Sequence, residues 1–455
     1  MNVFSFLMPA PQVPQIQDPK VVDQRYRYWR IRIFYTMFIG YVFYYFTRNT
    51  FQCVMPGMIQ ELGFTKAQLG YLSTTIFSLT YGASKFASGI LADRSNPRYI
   101  MSIGLILTGI CNIFFGFSSS MLVFAIIWGM NGWFQGFGWP PCARYLTHWY
   151  SQNERGSWWS TWNVSHNVGG VMIPIVVAFF FKYLGWRYAM CLPGVICIGV
   201  GFYLMSRLRD TPQSLGLPPV EDYRNDFTGV SRKRGEEEKE LTAKQILFEY
   251  VLNNKFIWML ALAYFFVYVV RSSINTWSIM FLIEHRGHSH FVSSWGYAFF
   301  ELGGFFGNLT AGWASDYLFR ARRGPVNALF SLGAFASIFV LWFFPEGLLY
   351  IDYLFFFFMG FFIFGPQMLI GVAAAELSHK KAVATATGFI GWIAYIGAAV
   401  AGGPLGHVVD IWGWQGFLGT VTLGSLFAAV LLVPLWSVQP RSDKEETTLK
   451  PALES

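Results

Sequence analysis

The chain has 455 residues, 54% of them hydrophobic and 13% charged, where soluble globular chains carry about 25% charged residues. A mean hydropathy of +0.39 and 47 Phe exclude an ordinary water-soluble domain and point to a polytopic α-helical membrane protein. The formal net charge of +8 does not read as nucleic-acid binding, because no basic stripe with interleaved aromatics lies outside the apolar segments.

The opening residues, MNVFSFLMPAPQVPQIQ, lack a basic start, and prolines cut their apolar run short, so they do not read as a signal peptide. Apolar segments of about 20 residues follow, without the alternation of barrel strands, so the spans are helices. Twelve are expected, at roughly 29–51, 68–92, 99–117, 121–144, 158–182, 187–206, 256–282, 292–317, 325–344, 350–376, 383–407 and 413–436. The expected organisation is a cytoplasmic tail (1–28), a six-helix bundle (29–206), a cytoplasmic linker (207–255), a second six-helix bundle (256–437) and a cytoplasmic tail (438–455). With both termini inside, 26 of the 33 Lys and Arg fall on the cytoplasmic side, as the positive-inside rule requires. The linker holds nine basic and nine acidic residues and reads as a solvated tether between mobile bundles.

In the first span, Tyr41, Tyr45 and Arg48 are spaced by four and three and share one helix face. An arginine at mid-helix costs about 2.5–3.5 kcal/mol on insertion scales, so its presence calls for a function or an ion pair. In the second span, Lys85 lies four residues after Tyr81 and either adds positive charge to a site or snorkels to the cytoplasmic surface. The loop after it carries Gly89, Asp93 and Arg94. In the fifth span, Asn163 and His166 belong to a polar patch in WNVSHNVGG, which reads as a ligand or protonation site or as hydrogen-bonded packing. The seventh span repeats the stripe as Tyr264, Tyr268 and Arg271. The cluster EHRGHSH, with His285, His288 and His290, reads as a solvated external loop and not as a metal site. Glu301, in FFELGGFFG, is the clearest membrane carboxylate and is expected to hold Arg271 when the site is empty, with proton coupling as the rival role. Lys380 and Lys381 follow from positive-inside placement. The five cysteines are scattered and read as unpaired packing residues.

A shift of 223 residues carries Arg48 onto Arg271, Tyr41 and Tyr45 onto Tyr264 and Tyr268, and Gly89 and Asp93 onto Gly312 and Asp316. Parallel repeats of six spans are the build of a large class of secondary transporters. A matched pair of intramembrane arginines suggests an anion site between the halves, since a guanidinium fork fits phosphate oxygens and stays charged at any relevant pH. The Gly-x-x-x-Asp copies are expected to cap helices or to pair with arginines across the bundles. No phosphate-cradling GxxxxGK[ST] loop occurs and no nucleophile–base set appears, which leaves ATP-driven transport and enzymatic catalysis without support.

Those loops resemble the cytoplasmic signature of the major facilitator superfamily. Over essentially its full length the chain resembles the organophosphate:phosphate antiporters of that superfamily, through GYVFYYFTR, YGASKF, ADRSNPR, GWFQGFGWPPCAR, WNVSHNVGG, DTPQSLGLPP, FVYVVR and FGPQMLIG. Within them it is most similar to the bacterial hexose-phosphate transporter and sensor subgroup. Phe364, where glycerol-phosphate members tend to carry Tyr, argues against glycerol 3-phosphate. The resemblance implies exchange of external hexose phosphate, with glucose 6-phosphate as first expectation, for internal phosphate across the inner membrane. It implies contacts or support from Tyr41, Tyr45, Tyr81, Lys85, Asn163, His166, Tyr395 and Glu301, no cofactor, no metal and a monomer. It also leaves open a sugar-phosphate receptor that signals through a histidine kinase partner, and a proton symporter using His166 and Glu301.

Overall fold

The computed structural model describes residues 7–225, 248, 251–319, 322–345, 348–377 and 383–438. Among them every regular element is a helix. Helix α1 runs Pro19–Leu62. Asp18 starts it by accepting from the Lys20 amide, and Gly63, in the left-handed region at φ 68°, ends it by donating to the Ile59 carbonyl. At 44 residues it is about 66 Å long, twice the thickness of a bilayer core. The expected span 29–51 is therefore the middle of a longer rod.

The second span is one run of α2 (Lys66–Gly70), a π-helical stretch (Tyr71–Ile76) and α3 (Phe77–Arg94). Helix α4 is Pro97–Phe117. Helices α5 (Met121–Gln135) and α6 (Trp139–Trp149) form one span bent at the GFG segment. Helix α7 (Gln152–Arg207) breaks at Gly185, whose φ of 80° only glycine adopts readily, and so supplies two spans. After a short α8 (Val220–Arg224) come α9 (Lys255–Glu284), α10 (His290–Trp313), α11 (Arg323–Phe343), α12 (Leu349–Leu377), α13 (Val383–Val400) and α14 (Gly403–Leu432). Helix α14 breaks at Gly413; its first part completes the span begun by α13 and the rest is the last span. The result is the twelve-helix architecture expected from the apolar segments.

The chain divides into two compact units, Met1–Glu237 with Ser289–Ala298, and Glu238–His288 with Phe299–Ser455. In the first unit α1 and α4 both pack along α7. A polar seam ties α1, α4 and α5 together. Asn131 donates to the Asn112 carbonyl oxygen at 2.8 Å, and Gln135 donates to Thr47 Oγ1 at 2.9 Å and to the Tyr44 carbonyl at 3.0 Å. Thr47 meets Thr108 at 3.1 Å. Interhelical hydrogen bonds in lipid are worth about 1 kcal/mol each and fix helix rotation. Here they set the rotation of α1 and so the aim of its tyrosine–arginine face. The first turns of α10 also group with this unit: His290 Nε2 donates to the Cys53 carbonyl at 2.7 Å, and Asn49 donates to the Tyr297 hydroxyl at 2.9 Å.

In the second unit α9 packs on α13 and α14, and α11 on α12 and α14. Helices α10 and α12 cross backbone on backbone. A Cβ at Gly303 would overlap the Phe357 carbonyl oxygen, and one at Gly360 the Phe300 carbonyl oxygen, which is why both positions are glycine.

Two segments depart from the expectation of solvated loops. Residues 208–225 dock on the first unit: Leu208, Leu217 and Val220 are at most 1% exposed, Tyr223 stacks on Tyr26 at 3.9 Å, and Tyr26 donates to the Pro218 carbonyl. The N-terminal tail lies against the same segment, with Val13 N and Ile16 N donating to the carbonyls of Gln213 and Gly216, and Ala10 N to the Asp210 carboxylate. Glu154 closes the arrangement, bound by Arg30 at 2.6 Å and Arg224 at 2.8 Å. Burial favours the protonated form of this carboxyl, but hydrogen bonds from Arg224 and Arg30 prevail and hold its pKa down to about 2.

The EHRGHSH loop is built, not solvated. Arg286 is 4% exposed and donates to the carbonyls of Leu341, Phe344 and Pro345, which caps the end of α11; His288 Nε2 meets Asp352 at 2.8 Å. Among the described residues no cluster of three or more His, Cys, Asp or Glu could hold a metal. The five cysteines are free and buried.

Candidate functional site

In the first unit, Tyr41, Tyr45 and Arg48 do share one face of α1. The Arg48 guanidinium lies 4.4 Å from the Tyr81 ring centre, 4.9 Å from Tyr45 and 5.6 Å from Phe77. Its Nη1 donates to the Tyr45 hydroxyl at 3.5 Å. Tyr41 packs on Trp162 at 4.7 Å and on Tyr45 at 5.9 Å, and Tyr45 reaches the His166 ring at 5.9 Å. Tyr41, Tyr45, Tyr81 and His166 are all buried, while Asn163 is half-buried one turn before His166. Lys85 Nζ sits 4.7 Å above the Trp139 ring, so it points to an aromatic partner inside the bundle. The structure thus gathers Arg48, Tyr41, Tyr45, Tyr81 and His166 around α1, and adds Phe77 and Trp162, which sequence reasoning did not single out. Their signal was hidden among 18 Trp and 47 Phe.

In the second unit the repeated stripe on α9 is held differently. The Arg271 guanidinium lies 4.7 Å from the Phe364 ring and 6.0 Å from Tyr268. Tyr264 and Tyr268 meet edge to face at 4.8 Å, and Tyr268 meets Tyr395 of α13 at 5.6 Å. The Tyr264 hydroxyl donates to the Gln367 carbonyl of α12 at 2.9 Å. Phe364, read from the sequence only as a departure from a family pattern, is therefore the ring beneath Arg271. Glu301 is fully buried on α10.

Stacking engages the face of a guanidinium, whereas bidentate phosphate binding uses its N–H edge, so the two are compatible. A guanidinium held between aromatic faces keeps its charge, loses conformational freedom before the ligand arrives, and can accept a phosphoryl group with little further ordering.

The loop residues are only partly described. The side chains of Gly89, Asp93 and Arg94 lie outside the described residues, as do Lys380 and Lys381. Asp316 pairs with Arg323 at 2.5 Å, and Arg323 also holds Glu376 at 3.0 Å. This triad lies within the second unit, where the sequence suggested helix capping or pairing across bundles; Arg323 starts α11 directly after the loop. Gly312, one turn before Asp316, leaves ordinary van der Waals space beside Met368.

A membrane protein of two helical units, each with a tyrosine–arginine stripe at the same repeat position, has the form of a solute transporter. The Major Facilitator Superfamily profile matches residues 37–402. The chain belongs to that superfamily and, within it, to the organophosphate:phosphate antiporter family. It is 52% identical to the "Probable hexose phosphate transport protein" of Chlamydia pneumoniae, over 98% of this chain and 100% of that one. It is 47% identical to the "Membrane sensor protein UhpC" of Escherichia coli K12, over 95% and 98% of the two chains. The Bacillus subtilis "Glycerol-3-phosphate transporter" is 41% identical over 97% and 99%. Among solved structures, a bacterial homolog of the human lysosomal transporter Spinster superposes with a TM-score of 0.71 at 16% identity, covering 91% of this chain and 99% of that one. At that identity the likeness concerns the fold alone.

Proposed function

We propose that this protein exchanges external hexose phosphate, with glucose 6-phosphate as the expected substrate, for internal inorganic phosphate by alternating access. The observation that carries this reading is the repeated stripe, which places an aromatic-backed guanidinium in each unit. The phosphoryl group common to both substrates is the chemistry the two arginines suit; the hexose is supported by the relatives of Chlamydia. Tyr41, Tyr45, Tyr81, Lys85, Asn163, His166 and Tyr395 line or support the site in this reading, and Glu301 balances charge in the second unit. Closing a charged site without its anion is costly, so the empty carrier does not return, and exchange follows. The protein acts by transport and not by catalysis, as a monomer in the inner membrane with both termini cytoplasmic.

Proteoliposomes loaded with phosphate are expected to take up labelled glucose 6-phosphate. Equal uptake into phosphate-free vesicles would overturn obligatory exchange, and dependence on an imposed pH gradient would favour proton symport through His166 and Glu301. A second reading has its own support, because sensor proteins stand at 47–48% identity, close behind the transport proteins at 51–52%. A sensor that signals through a histidine kinase partner would bind glucose 6-phosphate in the same vesicles without turning it over.

A further inference from the structure

One turn beyond each arginine stands an amide side chain. Gln52 follows Arg48 by four residues and Asn275 follows Arg271 by four, so each lies on the face of its own tyrosine–arginine stripe. The two are related by the same 223-residue shift as the arginines. Both Gln52 Oε1 and Asn275 Oδ1 are buried, and among the described residues neither accepts a hydrogen bond. A buried carbonyl oxygen without a donor is costly, and native structures keep few of them. Two at one repeat position, each beside the cation proposed to hold phosphate, call for a common explanation.

The chemistry of the atoms says which part of a ligand they suit. A phosphate oxygen is an acceptor and would be repelled by an amide oxygen. A sugar hydroxyl is a donor and would satisfy it. The side chains also differ by one methylene, so the two acceptors reach different distances from otherwise matched helices.

We infer that Gln52 and Asn275 accept hydrogen bonds from the hydroxyls of the sugar and so separate hexose phosphates from smaller phosphates. This rests on the exchange reading above: the arginines bind what all substrates share, and the amides read what differs. Specificity of this kind is effective because a substrate lacking the hydroxyl leaves a buried acceptor unmet.

The test compares apparent KM for glucose 6-phosphate, glycerol 3-phosphate and inorganic phosphate in proteoliposomes holding the full chain, with Gln52→Met and Asn275→Leu, which keep size and remove the acceptor. Loss of one such hydrogen bond is expected to raise KM for glucose 6-phosphate about tenfold relative to phosphate, with glycerol 3-phosphate between them. The length variant Gln52→Asn, which retains an amide and so guards against misfolding, is expected to shift the same ratio by a smaller factor. If the three KM values rise together, the side chains are structural and the inference fails. If none changes, water satisfies the acceptors and the inference fails equally. Failure of the wild-type chain to exchange phosphate would instead overturn the transport reading. The inference would then be judged on the Kd ratios of the same three phosphates for the purified protein, and equal ratios in wild type and variants would reject it.

Discussion

In the first unit Arg48 lies against three aromatic rings, and the helix that carries it is tied from behind by Asn131, Asn112, Gln135 and Thr47. In the second unit Arg271 lies against Phe364 and Tyr268, its tyrosines are half-buried, and the helices nearby cross on bare backbone through Gly303 and Gly360. The helix of the first stripe is thus tied by side-chain amides and hydroxyls, whereas the second stripe is tied through its own tyrosine, Tyr264, to the Gln367 carbonyl. The chemistry differs too: His166 stands beside Tyr45 of the first stripe, and the second unit carries the buried carboxylate Glu301.

The comparison can be broken most sharply at the arginines. Arg48→Lys and Arg271→Lys keep the charge and lose the fork, so each is expected to reduce exchange about 100-fold, read as labelled phosphate counterflow. If only one variant is impaired, the two stripes are not equivalent in function.

The next largest effect is expected at two arginines that cap helix ends. Arg187 and Arg286 both cap a helix of their unit. Arg187 donates to the Gly116 and Ser118 carbonyls of α4 and pairs with Glu61 at 2.8 Å while 32% exposed. Arg286 does the corresponding work for α11 at 2% exposure, 3.5 Å from Asp352. Arg286→Gln leaves a buried carboxylate without its cation and should destabilise by about 3–5 kcal/mol. Arg187→Gln, in a solvated pair, should cost about 1 kcal/mol. Thermal unfolding of the purified variants measures both.

Between these lies the helix crossing. Gly360→Ala drives a methyl into the Phe300 carbonyl oxygen and is expected to cost about 1–3 kcal/mol. Gly136→Ala in the first unit meets the Ser84 hydroxyl and Cβ and the Lys85 backbone nitrogen, a smaller overlap than at the Phe300 carbonyl, and should cost less. An equal loss of thermal stability would mean that the two crossings are equally rigid.

The smallest effect concerns pH. Glu154 has its carboxyl pKa depressed from 4.5 to about 2, so its ion pairs contribute fully above pH 4.5 and are lost as pH falls towards 2. The protection of residues 208–225 against hydrogen exchange, taken relative to the intrinsic rate at each pH, is expected to fall across that window.

The stripe was legible in the sequence because intramembrane cations are rare and a repeat doubles the signal. The spans were legible because apolar length alone specifies them. The seam of Asn112, Asn131 and Gln135 was not, because polar residues in a span announce a partner without naming the neighbouring helix. Arg286 sits in a heptapeptide that looks solvated, and only the exposed carbonyls at the end of α11 explain its burial. Residues 208–225 read as a tether since their composition is that of one; the Tyr26–Tyr223 stack and the Tyr223–Asp23 hydrogen bond depend on the start of α1, 200 residues away in sequence. For Asp316 the motif suggested a helix cap or an arginine across the bundles, and the structure shows it paired with Arg323, seven residues on.

The contact of that tail with residues 208–225 has a consequence for biosynthesis. Its last ion pair, Arg224 to Glu154, joins residues that have all been synthesised before α9 begins. Once synthesis has gone far enough past Arg224 for that residue to leave the ribosome, every part of this closure lies outside it. The first half can lock its own beginning to its own end while the second half is still being made, and a nascent chain arrested there would already resist a protease acting on its first twenty residues.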